Sequence, residues 1–211
     1  MNWFKKAYNE LDSLTRTITN KMFLWAIQQK ENNRLVFNEA GLRNVCETQY
    51  AEFTGQKNGE VDVVAEYSWF EKEMKVTIYV SNNIILSERP DLREKLSYLL
   101  RMSVRHELEH SKQSLYSVVK QKSFDFKTIE GITSYILGPA ELPAFATSLM
   151  HLAKKQKMPV EKVIDDFLKR TVLWRLQDIT ENSSEQNSTI NNIKTKLLDY
   201  IYFRYPLANS A

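Results

Sequence analysis

The sequence predicts an α+β fold, mostly helical, in which a small antiparallel sheet leads into a central helix and further helices follow to the C-terminus. Three observations predict it. Residues 60–80 carry apolar side chains at every second position, the period of a half-buried strand. Long stretches on either side carry them at three- and four-residue spacing, the period of a helix packed along one face. A hydrophobic content of 43%, with 11% aromatic residues, is enough to fill a core in a chain of 211 residues.

Residues 2–30 read as one long helix or two shorter ones. Trp3, Phe4, Ala7, Leu11, Leu14 and Ile18 recur at helical spacing, and neither Gly nor Pro interrupts them. Glu31-Asn32-Asn33 is a polar turn. Asn38-Glu39-Ala40-Gly41 opens a short segment through Tyr50 and Phe53 for which helix is the expected form, and Thr54 to Gly59 is expected as a loop. The period then changes. Val61, Val63, Ala65, Tyr67 and Trp69 alternate with mostly polar residues, Glu71-Lys72-Glu73 turns the chain, and Val76, Ile78 and Val80 alternate again, which predicts an antiparallel hairpin. Ile84-Ile85-Leu86 is expected as a third short strand. Pro90 suits the first turn of the long helix that follows.

Residues 120–140, with Gly131, Gly138 and Pro139, are expected as an irregular connector. Glu141 opens a helix to about Lys157, Pro143 being tolerable in its first turn. Pro159 starts another, carried by Val160, Val163, Ile164, Phe167 and Leu168. Thr180 to Thr189, rich in Ser, Asn, Glu and Gln, reads as a solvated linker before a last helix from about Ile190 to Phe203.

Within the long helix that begins at Pro90 lies His106-Glu107-Leu108-Glu109-His110. Residues four apart share a helix face, so His106 and His110 can offer two imidazoles to one metal ion, and Glu107 can act as general base on a water bound to it. The chain has three histidines in all, and two fall in this motif. The competing reading is a solvated face on which the imidazoles pair with Glu107 or Glu109. Against it, Leu96, Leu99, Leu100, Met102 and Val104 make the preceding turns apolar, and polar groups entering a packed helix need partners. A catalytic zinc site needs a third protein ligand. His151 stands on a different face from Glu141 and reads as a surface or capping residue. The expected third ligand is therefore a downstream carboxylate. Glu141 ranks first because Ala144 and Ala146 allow close helix approach, with Glu130 as its rival. Ordinary helix N-terminal electrostatics would favour a carboxylate at Glu141 in any case.

Composition limits the alternatives. A net charge of +3, from 29 basic and 26 acidic residues spread along the chain, is too balanced for nucleic acid as the main partner. The single cysteine, Cys46, allows no internal disulfide, fits a reducing compartment and reads as a packed thiol rather than a nucleophile. No secretory signal or membrane-length apolar run is visible, so a cytoplasmic protein without a membrane partner is expected.

A small sheet leading into a helix that carries His-Glu-x-x-His resembles the order of elements in zinc metallopeptidases. An extended metzincin motif would need Gly at position 113 and His at 116, where this chain has Gln113 and Tyr116. The pattern His106-Glu107-Leu108-x-His110-x-x-Gln113, then Tyr135-Ile136-Leu137 and Pro139-x-Glu141-Leu142-x-Ala144-Phe145-Ala146, is similar to gluzincin-type metallopeptidases, in particular small metallopeptidase-like proteins of bacteria and their viruses. The resemblance covers residues 60–157. It implies a zincin-like domain, which with the N-terminal helical segment is expected over residues 1–158, while the repeated apolar faces after Pro159 predict a C-terminal helical subdomain over 159–211 packed on it. It also implies Zn²⁺ held by His106, His110 and Glu141, and hydrolysis of a protein or peptide substrate with Glu107 as base. Tyr135 or Tyr116 would stabilise the oxyanion. The other function class is a catalytically inactive zincin-like structural or interaction domain, such as a virus particle component.

Overall fold

A computed structural model describes residues 2–51, 60–113 and 124–205, without the side chains of 2–9 and 51. The expected loop at 54–59, Phe53, Tyr116 and the side chains of Trp3, Phe4 and Ala7 lie outside that description. The chain divides into two compact units, Met1–Lys112 and Gln113–Ala211. That division does not coincide with the expected boundary at 158/159. No described helix is long and apolar enough to cross a membrane.

The first unit is a sheet with two helices on one face. Helix α1 spans Asn2–Ala26, strands β1 to β4 span Asn33–Glu39, Leu42–Ala51, Val61–Ser68 and Glu73–Ser81, and helix α2 spans Pro90–His110. The expected hairpin is present as β3 and β4, paired antiparallel with Val63 opposite Ile78 and Ala65 opposite Val76. The expected helical segment from Asn38 to Tyr50 is instead the end of β1 and the length of β2. Glu39 pairs with Leu42, leaving Ala40 and Gly41 as a two-residue turn with φ of 51° and 77°. Positive φ at both central residues gives the twist that joins two antiparallel strands. Nothing lies within 4 Å of a Cβ built on Gly41, so Gly41→Ala tests the backbone alone. It is expected to cost about 1 kcal/mol in urea unfolding, from the left-handed conformation forced on alanine.

The sheet order is β1-β2-β4-β3, with β2 parallel to β4, so the expected antiparallel sheet is mixed. Ile84-Ile85-Leu86 adds no strand. Asn83 takes φ 71° and the chain enters a 3₁₀ turn at Leu86–Glu88 that leads to Pro90. Met74, Val76, Ile78 and Val80 of β4 form one core with Ile18, Met22 and Ala26 of α1 and Leu92, Leu96, Leu100, Val104 and Leu108 of α2. Each helix contributes residues four apart, the stripe that an amphipathic helix lays on a sheet.

The second unit is helical: α3 Ile129–Ile136, α4 Glu141–Gln156, α5 Val160–Phe167, a π-helical turn Leu168–Val172, α6 Leu173–Ile179 and α7 Ser183–Arg204. Two expectations are corrected here. The connector contains α3, capped by Thr128, whose hydroxyl accepts from the Gly131 amide at 3.0 Å. Gly131 is needed for space rather than for φ, since a Cβ there would stand 1.9 Å from the Asp125 carbonyl oxygen. The polar stretch 180–189 is mostly the first two turns of α7, started by the Asn182 side chain, which accepts from the amides of Ser184 and Glu185.

Candidate functional site

On α2 the sheet-facing stripe ends with Val104 and Leu108. His106 and His110 each come two residues later, about 200° around the helix axis, so they stand on the side away from the sheet. From Val104 to Leu108 every residue is buried, and so is His110, so the end of α2 is covered beyond its sheet-facing stripe. Arg105 is fully buried, with Nη1 3.7 Å from the Asp12 carboxylate on α1. A buried guanidinium beside a carboxylate fixes the rotation of α2 against α1, because parting them would leave a charge without compensation in a dry interior.

The two imidazoles meet. Their Nε2 atoms are 3.0 Å apart, and their rings lie nearly perpendicular, at 81° with centroids 4.6 Å apart. Two nitrogens bound to one tetrahedral zinc at about 2.0–2.1 Å would lie roughly 3.3 Å from each other, so the observed pair is already close to the spacing of two ligands. The same approach could instead be bridged by a single proton, with one ring donating and the other accepting. Glu107 is 7% exposed, while Glu109 is half-buried.

In the second unit, Glu141 is the first residue of α4 and is 7% exposed, whereas Glu130, in the first turn of α3, is exposed. The first-turn position of Glu141 also suits a carboxylate electrostatically. The Gln113 side-chain amide donates to the Ala140 carbonyl at 2.6 Å, immediately before Glu141. His151 is buried, not the expected surface or capping residue, because α4 is enclosed on several faces, with Ala144, Ala146, Leu149 and Leu152 also buried. Tyr135 sits in an aromatic cluster, edge-on to Phe124, Phe126 and Phe145 at centroid distances of 5.5, 5.0 and 6.1 Å. Tyr116 lies outside the described residues.

Cys46 faces the core from β2, and burial, with Glu47 adding to it, pushes its thiol far above the usual range. It therefore carries no thiolate near neutral pH and is a packing residue. Comparison of the chain with protein-family models, with curated proteins and with solved structures gives no match.

Proposed function

We propose that the chain is a zinc-dependent peptidase of zincin-like fold, with His106, His110 and Glu141 as ligands and Glu107 as general base. The observation that carries this reading is the pair of buried imidazoles with Nε2 atoms 3.0 Å apart, next in sequence to a buried glutamate. His106 and His110 of α2 supply two donors within the first unit, and Glu141, at the start of α4 in the second, is the proposed third. Two imidazoles and one carboxylate are the donors of a catalytic site that keeps a position open for water. Glu141 is preferred over Glu130 because it is buried, and a buried carboxylate needs a cationic partner more than an exposed one does.

Bound zinc would supply Lewis acidity and bring a coordinated water toward ionisation near neutral pH. The chain's own residues would do the rest. Glu107 takes a proton from the attacking water and delivers it to the leaving amine nitrogen. Tyr135, its ring held by three neighbours, is the proposed donor to the negative charge that develops on the carbonyl oxygen. The substrate is a protein or peptide. A cytoplasmic setting rests on cysteine usage alone, since the one thiol is buried and unpaired by disulfide.

The test is metal content followed by peptide cleavage. Protein supplied with zinc and then dialysed is expected to keep one equivalent per chain and to hydrolyse an unstructured protein substrate such as casein. A chain that keeps no metal overturns the reading. One that keeps zinc yet cleaves nothing across a broad peptide set is the inactive module instead.

A further inference from the structure

The second unit contains a cleft of about 890 Å³ whose wall includes Tyr135 but none of the proposed metal ligands and not Glu107. Its volume falls in the range of small-molecule sites, about 300–1,000 Å³. Phe145 and Phe167 form part of its wall, in contact with each other at 5.1 Å between centroids. Two further lining aromatics, Phe126 and Trp174, are themselves exposed, at 44% and 38%. The Arg175 guanidinium lies over both, 5.7 Å from the Phe126 centroid and 5.2 Å from that of Trp174. Exposed aromatic faces with a cation stacked over them form a surface with an apolar body and a positively charged edge.

Charge selects the occupant. Arg175 and Lys127 line the cleft against a single carboxylate, Asp178. Neither cation forms an ion pair with a carboxylate among the described residues. The helix itself is altered at this place. Residues 160–179 would run as one helix but for the π turn Leu168–Val172, and Thr171 and Val172 of that turn line the cleft. The wider turn rotates everything after it relative to α5, which brings Trp174, Arg175 and Asp178 to the cleft. Single π turns inside helices are found frequently at functional sites.

We propose that this cleft binds a carboxylate carried on a bulky apolar group. The apolar group lies against Phe126, Phe145 and Trp174, and the carboxylate is held by Arg175 with Lys127 beside it. The ligand is either the C-terminal residue of a peptide or a free organic acid. The proposal does not depend on metal binding or hydrolysis.

The experiment titrates the full chain with N-acetyl-phenylalanine, its uncharged amide and decanoate, read by calorimetry and by tryptophan fluorescence. One or both acids are expected to bind, and the amide to bind at least about tenfold more weakly than N-acetyl-phenylalanine if that is the ligand. Tighter binding of N-acetyl-phenylalanine assigns the site to peptide C-termini, and tighter binding of decanoate to free acids. Arg175→Gln should weaken the better acid about tenfold and leave the amide unchanged. Asp178→Asn should act in the opposite direction, tightening that acid about two- to fivefold by removing the repelling carboxylate. This second variant keeps the test decisive even if Arg175→Gln folds poorly. Absence of acid binding up to about 10 mM overturns the proposal. So does equal binding of N-acetyl-phenylalanine and its amide when that acid is the better ligand, or an acid affinity that neither substitution changes.

Discussion

Glu107→Gln is expected to retain one equivalent of zinc while peptide hydrolysis falls by about 10²- to 10⁴-fold, the loss that follows removal of a positioned general base. Glutamine keeps the length and shape of the side chain, so a residue that is 7% exposed can be exchanged without opening a cavity. What changes is that the amide cannot accept a proton from water and pass it on. Metal retention separates this role from ligation, since a zinc ligand exchanged for an amide would weaken binding as well as rate. The two measurements, elemental analysis and cleavage of a peptide, are made on the same preparation. Loss of zinc would make Glu107 a ligand. Full activity with zinc retained would move the base elsewhere.

The helix that carries the motif was legible in the sequence because each local signal agreed. Pro90 marked its start, and Leu92, Leu96, Leu100, Val104 and Leu108 marked its buried stripe. Strands β3 and β4 were legible for the same reason, with a strict two-residue period. Strand β2 was not, and its own residues explain why. Asn44 and Thr48 occupy core-facing positions and are buried, so the alternation of apolar side chains is broken where the strand is most enclosed. The Asn44 side-chain NH₂ donates to the Leu42 carbonyl at 2.9 Å, and the Thr48 hydroxyl donates to the Glu31 carbonyl at 3.0 Å. A polar residue with a hydrogen-bond partner can stand in a core, but in sequence it reads as surface.

The parallel pairing of β2 with β4 was illegible for a different reason: it joins two hairpins, and no local period encodes which edges meet. The start of α7 was hidden by composition. Most of its first two turns face solvent, so they are polar throughout, and the available signal was the spacing Asn182-x-x-Glu185. At the site, the motif itself announced His106, Glu107 and His110. The burial of His151 had no such signal, because it depends on how many elements surround α4. Glu141 could be ranked above Glu130 from its neighbours, but the exposure that separates the two carboxylates belongs to the folded chain.

Glu141→Ala is expected to lower zinc affinity by more than the roughly 10- to 100-fold typical of losing an outer hydrogen-bond partner, with hydrolysis lost in parallel, because two imidazoles alone remain. Glu141 also stands in the first turn of α4, where a negative charge contributes about 0.3–1 kcal/mol whether or not a metal is bound. The variant should therefore unfold slightly more easily even in metal-free buffer, and that effect must be kept apart from ligation. Glu141→Gln does so. It loses the helix-terminal charge but keeps nearly all of the packing, and an amide oxygen is a poorer zinc donor than a carboxylate, so its zinc affinity should fall while its metal-free stability drops only by the helix-terminal amount. Glu130→Ala is the control, an exposed carboxylate near another helix start, and should change neither zinc content nor rate. Equilibrium dialysis against a zinc buffer, urea unfolding without metal and peptide cleavage on all three variants decide the case. Full zinc retention in Glu141→Ala, together with loss in Glu130→Ala, would transfer the ligand to Glu130. Retention in both would leave the two histidines without a carboxylate partner from either helix, and the proposed three-ligand site would fall.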